Sequence, residues 1–328
     1  MIKLILKFVF AAAIIYWLVN KGTLDFGLIA KAFNYPAHIA GCFILLTLQA
    51  VLASYRWKKL LEVKINKTIP FLQVIKLNWI GMFFNSVLPG AVTGDLIKLV
   101  YTKDISNEFN KTFLVTSVVM DRILGLAGLI TLMGLFSIFN YTSIIAISPK
   151  IAPLIHINFL LLFGVIIFIT SIFMPIKVQN KLLKLTEKIP FLGEKLAKTL
   201  RQVWLIGQNK KMVTTALAIS IFIQFTNVIA FWLIASPFFT QHIPMQFVFS
   251  FIPLGFIAVA VPISPAGLGV GHAIFDSLFG FFQVYNGASL FNLYFLIMIT
   301  INLFGFFPYA FSGKKHQLKE TAEFETTI

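Results

Sequence analysis

Ionisable residues stand inside long apolar runs at a few places in this sequence, and those places are where chemistry is sought first. Asn85, Pro89, Gly90, Gly94, Asp95 and Lys98 make one such group, Asp121 and Arg122 a second, and Gly267, Gly269, Gly271, His272 and Asp276 a third. Lys76 lies just before the first group and reads as a side chain that snorkels to a membrane interface. A charge held within a membrane span costs at least roughly 2.5–3.5 kcal/mol on insertion scales, so each group is a functional candidate by default.

The first and third groups join glycine and proline to charge. Proline removes a donor and glycine is a poor helix-interior residue, so neither stretch continues as one helix. Each reads as a half-helix, a break and a second half-helix. The free N–H groups that open the second half-helix favour an anion such as a phosphate, and the glycines let it approach the backbone. Asp95, directly after Gly94, has two further readings: it caps the helix that starts there, or it pairs with Lys98 three residues on. His272 and Asp276, at i and i+4, either share a proton and line an aqueous cavity or form a polar edge at the interface. Asp121 and Arg122 are neighbours whose side chains diverge around a helix. Asp121 with Lys98 and Arg122 with Asp95 are the natural pairings, and a purely structural buried pair is the rival to any functional role.

Conventional catalysis finds no foothold. His38, His156, His242 and His316 stand apart from carboxylate clusters at metal-ligand spacing, and neither a nucleotide-binding glycine loop nor a nucleophile elbow occurs. The expectation is a protein that is not an enzyme, with no catalytic residues, no metal and no cofactor. Cys42 stands alone in an apolar run and reads as a small core residue.

The elements that position these groups follow from composition. Of 328 residues, 58% are apolar and 12% charged, with a mean hydropathy of +0.88. Soluble domains are about 45–50% apolar and about 25% charged. The apolar stretches are long and continuous, which selects helices over the short alternating strands of a membrane barrel. The expected fold is therefore an all-α polytopic membrane protein, one integral membrane domain over 1–328. Spans fall at 4–19, 37–53, 112–139, 153–174, 213–236 and 289–311, six in all, with broken re-entrant hairpins at 71–101 and 245–283. The first span starts like a signal peptide, but its alanines lie inside the apolar run, so it reads as an uncleaved helix.

Charge orients the chain. Lys and Arg number 27 against 12 Asp and Glu, a net +15, and the excess flanks apolar runs, which argues against nucleic acid as partner. The segments 54–70, 102–111, 175–212 and the tail 312–328 hold most of it, which places them and both termini on the cytoplasmic side of the inner membrane. The first hairpin then enters from the cytoplasmic side and the second from the outer side. Opposed broken hairpins in the halves 1–174 and 213–311 form the pattern of an inverted-repeat transporter, with kinked helices in an ordinary bundle as the rival. Within 175–212, Lys177, Lys181, Lys184 and Lys188, then Lys195, Lys198 and Arg201, recur at helical spacing opposite leucines. These read as two amphipathic helices on an anionic leaflet, serving either topological anchoring or lipid capture.

The string from Gly81 to Asp95, the run Asp121-Arg122-Ile123-Leu124-Gly125 and the run from Pro262 to Gly271 together resemble the lysylphosphatidylglycerol synthase transmembrane region, the flippase-like domain family. The resemblance extends over nearly the whole chain. It implies a multi-pass inner-membrane protein with a lipid-handling cavity. In two-domain members this region is similar to a flippase moving aminoacylated phosphatidylglycerol outward. The present sequence is expected to be a stand-alone member without the soluble aminoacyl-transferase domain, so lysyl transfer is not carried over. Thr93 stands where the family often has glycine, Lys98 where it often has arginine, and His272 where it often has an acidic residue. The expected function is translocation or binding of an anionic phospho- or glycolipid headgroup. Membrane lipids are then the partners. The rival is a non-transporting protein that presents a lipid-linked substrate to a glycosyltransferase or lipid-modifying enzyme.

Overall fold

The structure, a computed structural model, describes Tyr16 and residues 19–20, 25–65, 67–87, 93–147, 149–186, 193–261 and 267–312. Helix dominates and no strand occurs among them. In chain order the helices are α1 (Gly27–Ala32), α2 (Pro36–Leu61), α3 (Phe71–Val87), α4 (Thr93–Lys103), α5 (Lys111–Ile147), α6 (Ala152–Ile172), α7 (Ile176–Thr186), α8 (Gly193–Gln208), α9 (Lys210–Ala235), α10 (Met245–Ala260), α11 (Val270–Gly280), α12 (Gly287–Leu303) and α13 (Phe306–Ala310). Five stretches are long and apolar enough to cross a membrane: Pro36–Leu61, Lys111–Ala146, Pro149–Ile172, Lys210–Phe238 and Gly287–Ala310. The expected first span, 4–19, lies almost wholly outside the described residues.

Sequence-local signals set the helix starts. Pro36 occupies the first turn of α2, where its missing N–H costs nothing. Asn110 and Asn209 accept from the N–H groups of Phe113 (2.8 Å) and Met212 (3.0 Å), capping α5 and α9. Two spans outrun their expected ends, α2 by running to Leu61 and α5 by running to Ile147, while α6 and α9 end within two residues of expectation. The largest correction falls at the end of α2. Arg56, Lys58 and Lys59 were expected in a loop beginning at residue 54, yet all three are helical, and Arg56 and Lys58 are buried. Leu60 and Leu61 continue the apolar face past the lysines and hold that turn in the core. At the other extreme, the last expected span is interrupted at Phe304-Gly305, where the glycine backs onto the carbonyl of Trp79 too closely for any side chain.

Both broken stretches fold as antiparallel helical pairs. In the first, Gly94 faces Gly81 and Asn85, while Lys98 reaches Gly81 and Asn78, so residue numbers rise along one arm as they fall along the other. In the second, Gly271 packs on Val259 and the Phe275 ring on Gly255, with the same sense. The connecting residues 88–92 and 262–266 lie outside the described set. The central helices α2 and α9 are also antiparallel, since Gly41 meets Leu233 while Arg56 meets Ser220. The chain therefore repeats the order span, hairpin, span (α2, α3–α4, α5, then α9, α10–α11, α12), with the second unit inverted relative to the first.

Two cores result. One surrounds Trp57, Leu60, Phe113, Leu114 and Val213 at the lysine-rich end of the bundle. The other gathers Phe231, Phe249, Phe275, Phe279 and Phe291 between α9 and the second hairpin. The expected amphipathic pair within 175–212 is present as α7 and α8, with Lys188 and the residues around it outside the described set. α8 docks firmly, because the Trp204 indole N–H donates to the Ser171 carbonyl (3.2 Å) and Gly207 lies against Ile172.

Candidate functional site

Asp95 stands in the first turn of α4, and its carboxylate does not cap that helix. Asn85, on the opposing arm, takes that role by accepting from the Gly94 N–H at 2.9 Å. Gly94 permits this contact, because a Cβ there would collide with the carbonyl of Gly81 and the backbone of Asn85. With the helix end satisfied, the Asp95 carboxylate turns sideways to two cations. Lys98 Nζ lies 3.2 Å from one oxygen, and Arg122 meets the other with Nε at 2.6 Å and Nη2 at 2.5 Å. Lys98 also sits 3.4 Å from Asn78 Oδ1 and 4.3 Å from the centre of the Trp57 ring.

Asp121, one residue before Arg122 on α5, points elsewhere. Its partner is Arg56 on α2, with Nε 2.7 Å from Oδ1, and Arg56 Nη1 donates to Ser220 on α9 at 2.8 Å. Gly125 lies beside this guanidinium. Of the two pairings expected for the α5 residues, Arg122 with Asp95 forms, while Asp121 takes Arg56 in place of Lys98. The i,i+3 pair of Asp95 with Lys98 forms as well.

These groups border one cavity of about 320 Å³, whose lining includes Asn78, Asn85, Asp95, Lys98, Asp121 and Arg122, with Leu46, Ala50, Met298 and Ile301 as apolar wall. Its volume is at the small end of ligand clefts, which run from about 300 to 1,000 Å³. The space suits a headgroup better than a whole lipid. On the lining itself two cations (Lys98, Arg122) meet two carboxylates (Asp95, Asp121), and Arg56, which holds Asp121 from outside the lining, adds a third cation to the ionic network. Exposure within the cluster is uneven. Lys98 and Asp95 side chains are 5% and 8% exposed, whereas Arg122 is 46% exposed. Arg122 thus holds Asp95 while its side chain stays accessible beside the cavity, and its planar guanidinium is of the kind that recognises a carboxylate or phosphate. Farther along the wall, the Tyr294 hydroxyl donates to Asn227 Oδ1 on α9 at 2.5 Å.

The second hairpin is built for packing. Gly267 and Gly269 adopt positive φ angles of 77° and 79°, which only glycine accepts without strain. Gly267 lies against Val259, and Gly271 against the ring of Phe291. His272 folds back to cap its own helix: Nδ1 accepts from the Gly269 N–H at 3.3 Å, and Nε2 lies 3.3 Å from Asn292 Oδ1. Since Nδ1 accepts, the ring proton sits on Nε2 and goes to Asn292, the neutral form of the ring. The rings of Phe291 and Phe295 meet it edge to face. Both nitrogens are engaged away from Asp276, whose backbone packs on Gly287. Gly267, Gly269, Gly271, His272 and Asp276 are absent from the described lining of the charged cavity. Pro89 and Gly90 lie outside the described residues.

Sequence reasoning passed over Arg56, Asn78, Ser220, Tyr294 and Asn302. Arg56 was hidden by the lysines beside it; Asn302, on the cavity wall, donates to Ser86 Oγ at 2.9 Å and ties α12 to the first hairpin. Among curated proteins, none matches this chain. Residues 4–313 match the protein family described as the lysylphosphatidylglycerol synthase TM region, and over that length the chain belongs to this family.

Proposed function

We propose that the protein is a flippase-like translocator that receives an anionic phospho- or glycolipid headgroup in the cavity beside Arg122. The observation that carries this reading is the accessible Arg122 side chain, anchored by buried Asp95 on the wall of a polar cavity within the membrane-spanning bundle. Family membership supports lipid handling in a membrane protein. The excess of lysine at the cavity's end of the bundle, including Lys58, Lys59, Lys103, Lys111, Lys210 and Lys211, supports an orientation with that end cytoplasmic. The cavity then opens in the inner-leaflet half of the membrane, the termini are cytoplasmic, and the membrane is the inner one.

The short second arms support re-entry. α4 and α11 have 11 residues each. At about 1.5 Å per residue each spans only about 16 Å of a roughly 30 Å hydrocarbon core. Two inverted units around a polar cavity suit alternating access, with one unit rocking on the other while acyl chains stay in the bilayer. The reaction is transport without covalent change to the lipid.

The test is transbilayer movement of labelled phosphatidylglycerol in liposomes carrying the purified protein. Arg122→Ala should lose at least tenfold in rate at unchanged protein level, and Arg122→Lys should recover part of it. Equal rates for the parent and Arg122→Ala would overturn the site. A parent that retains the lipid through detergent purification but never moves it would instead favour presentation to a partner enzyme.

A further inference from the structure

On the opposite side of α5 from the charged cavity lies a second hollow of about 400 Å³, enclosed by α5, α6 and α8. Neighbouring residues of one helix face the two spaces. Val118, Asp121 and Arg122 line the first, while Val115, Val119, Met120 and Ile123 line the second. Phe168 of α6 and Val203 of α8 complete an apolar trough. The same lining carries polar and basic side chains, Lys111 and Thr112 at the start of α5 and Lys198 and Thr199 on α8.

This is an amphipathic slot with the two halves of a phospholipid written along it. The apolar walls run along a membrane span, so they accept an acyl chain. Lysines and threonine hydroxyls gather at the lysine-rich end, where a phosphate of that leaflet lies. The first turn of a 37-residue helix adds its positive end to Lys111. Lys198 is already held by Glu194 at 2.7 Å, but both side chains are well exposed, at 59% and 82%, so a phosphate can compete for the ammonium without desolvating it. The α8 wall is fixed at its far end by Trp204 on Ser171 and Gly207 on Ile172, which keeps the slot from closing by simple collapse of α8 onto α5.

We propose that this slot is a binding site for one anionic phospholipid of the cytoplasmic leaflet, separate from the transported lipid, with its phosphate at Lys111 and Lys198 and one acyl chain along Val115, Val119 and Val203. The occupant is a membrane phospholipid because the apolar trough is continuous with the phosphate end; a soluble phosphate would leave it empty. Occupancy braces α5 from behind the face that carries Asp121 and Arg122. The site thus couples the anionic content of the leaflet to the geometry of the cavity.

The experiment uses full-length protein in bilayer discs of phosphatidylcholine doped with phosphatidylglycerol bearing a photoreactive acyl chain. Labelled peptides are mapped by mass spectrometry. Adducts within 115–123 and 199–203 are expected. The double variant Lys111→Gln/Lys198→Gln should reduce them by on the order of twentyfold, because each lysine near an anionic surface contributes about fivefold. Lys111→Arg/Lys198→Arg should restore them, which separates lost charge from lost folding. Arg122→Gln should leave these adducts in place even where lipid movement fails, so the slot and the transport cavity are judged independently. Equal labelling by photoreactive phosphatidylcholine, or undiminished labelling in the glutamine double variant, would overturn the proposal.

Discussion

The two hairpins have the same outline in the sequence, an apolar run broken by glycine and proline with an ionisable residue just beyond, yet they end in opposite surroundings. Beyond the first break, Asp95 meets Lys98 and Arg122 beside a cavity. Beyond the second, His272 meets a backbone amide, an asparagine and two phenylalanine rings. Apart from Lys98, what separates them lies outside the hairpins. α5 brings Arg122 to the first, and α12 brings Phe291, Asn292 and Phe295 to the second. A broken hairpin is thus a scaffold, and the span that packs beside it decides whether its tip is charged or sealed.

The largest test of that difference is removal of each hairpin's carboxylate. Asp95→Ala leaves Lys98 and Arg122 facing each other, one of them buried, and breaking a buried pair costs about 3–5 kcal/mol. The half-exposed state of Arg122 sets the expectation at about 3 kcal/mol, with lipid movement abolished. Asp276→Ala should cost less than half as much and leave movement intact. Thermal unfolding in detergent beside the liposome assay reads both, and equal losses would erase the contrast.

Glycine offers the next comparison. An alanine at Gly94 strikes the carbonyl of Gly81 and the backbone of Asn85, so the arms must separate and Lys98 must shift. At Gly271 the obstacle is the Phe291 ring and a Val259 methyl, which are side chains. Both are overpacking changes of about 1–3 kcal/mol. Only Gly94→Ala should also slow lipid movement, at least tenfold. A Gly271→Ala protein that folds but does not transport would place the second hairpin inside the transport path.

Smaller again is the expected effect of His272→Gln. Losing a helix cap and one buried hydrogen bond costs about 1–2 kcal/mol. Movement of labelled lipid should persist, because the imidazole is absent from the described lining of the charged cavity. A transport-dead but stable His272→Gln protein would overturn the reading of the second hairpin as packing.

Much of this was legible beforehand, for a physical reason. A charge in hydrocarbon is expensive enough to stand out, so Asp95, Lys98, Asp121 and Arg122 identified themselves, and two of the pairings followed. Arg56 escaped because a cation at the end of a span is the ordinary sign of an interface, and only the apolar pair Leu60 and Leu61 beyond it betrays that the buried face continues. Ser220, Asn78 and Tyr294 escaped because neutral polar residues are tolerated in helices, where a hydroxyl can bond its own backbone, as Ser220 does with Ala216 at 2.8 Å. The second hairpin shows the reverse error of reasoning by spacing. Its glycines admit close approach, and what approaches is Val259 and Phe291.

The mildest test concerns the base of the first hairpin, where a third ionic group sits at the edge of the bundle. Glu62, just past α2, accepts from Lys58 at 2.5 Å, from Lys59 at 3.2 Å and from the Ile69 N–H at 3.0 Å, and so ties the end of α2 to the turn that launches α3. Partial burial alone would raise its carboxyl, but the bonds from Lys58, Ile69 and Lys59 outweigh it and hold the group below the ordinary glutamate value. The sign follows. A depressed carboxylate contributes stability that is whole above its unfolded pKa of about 4.3 and is lost as pH falls through the lower folded value. Glu62→Gln should therefore cost about 1 kcal/mol or less near neutrality, given solvent access to Lys59, and should match the parent in strong acid. Added salt should narrow the gap at neutral pH, since this group is wet, whereas the loss in Asp95→Ala should hardly respond. If salt moved both alike, the first hairpin's charge cluster would be as open to solvent as its rim, and its distinction from the second would rest on residue type alone.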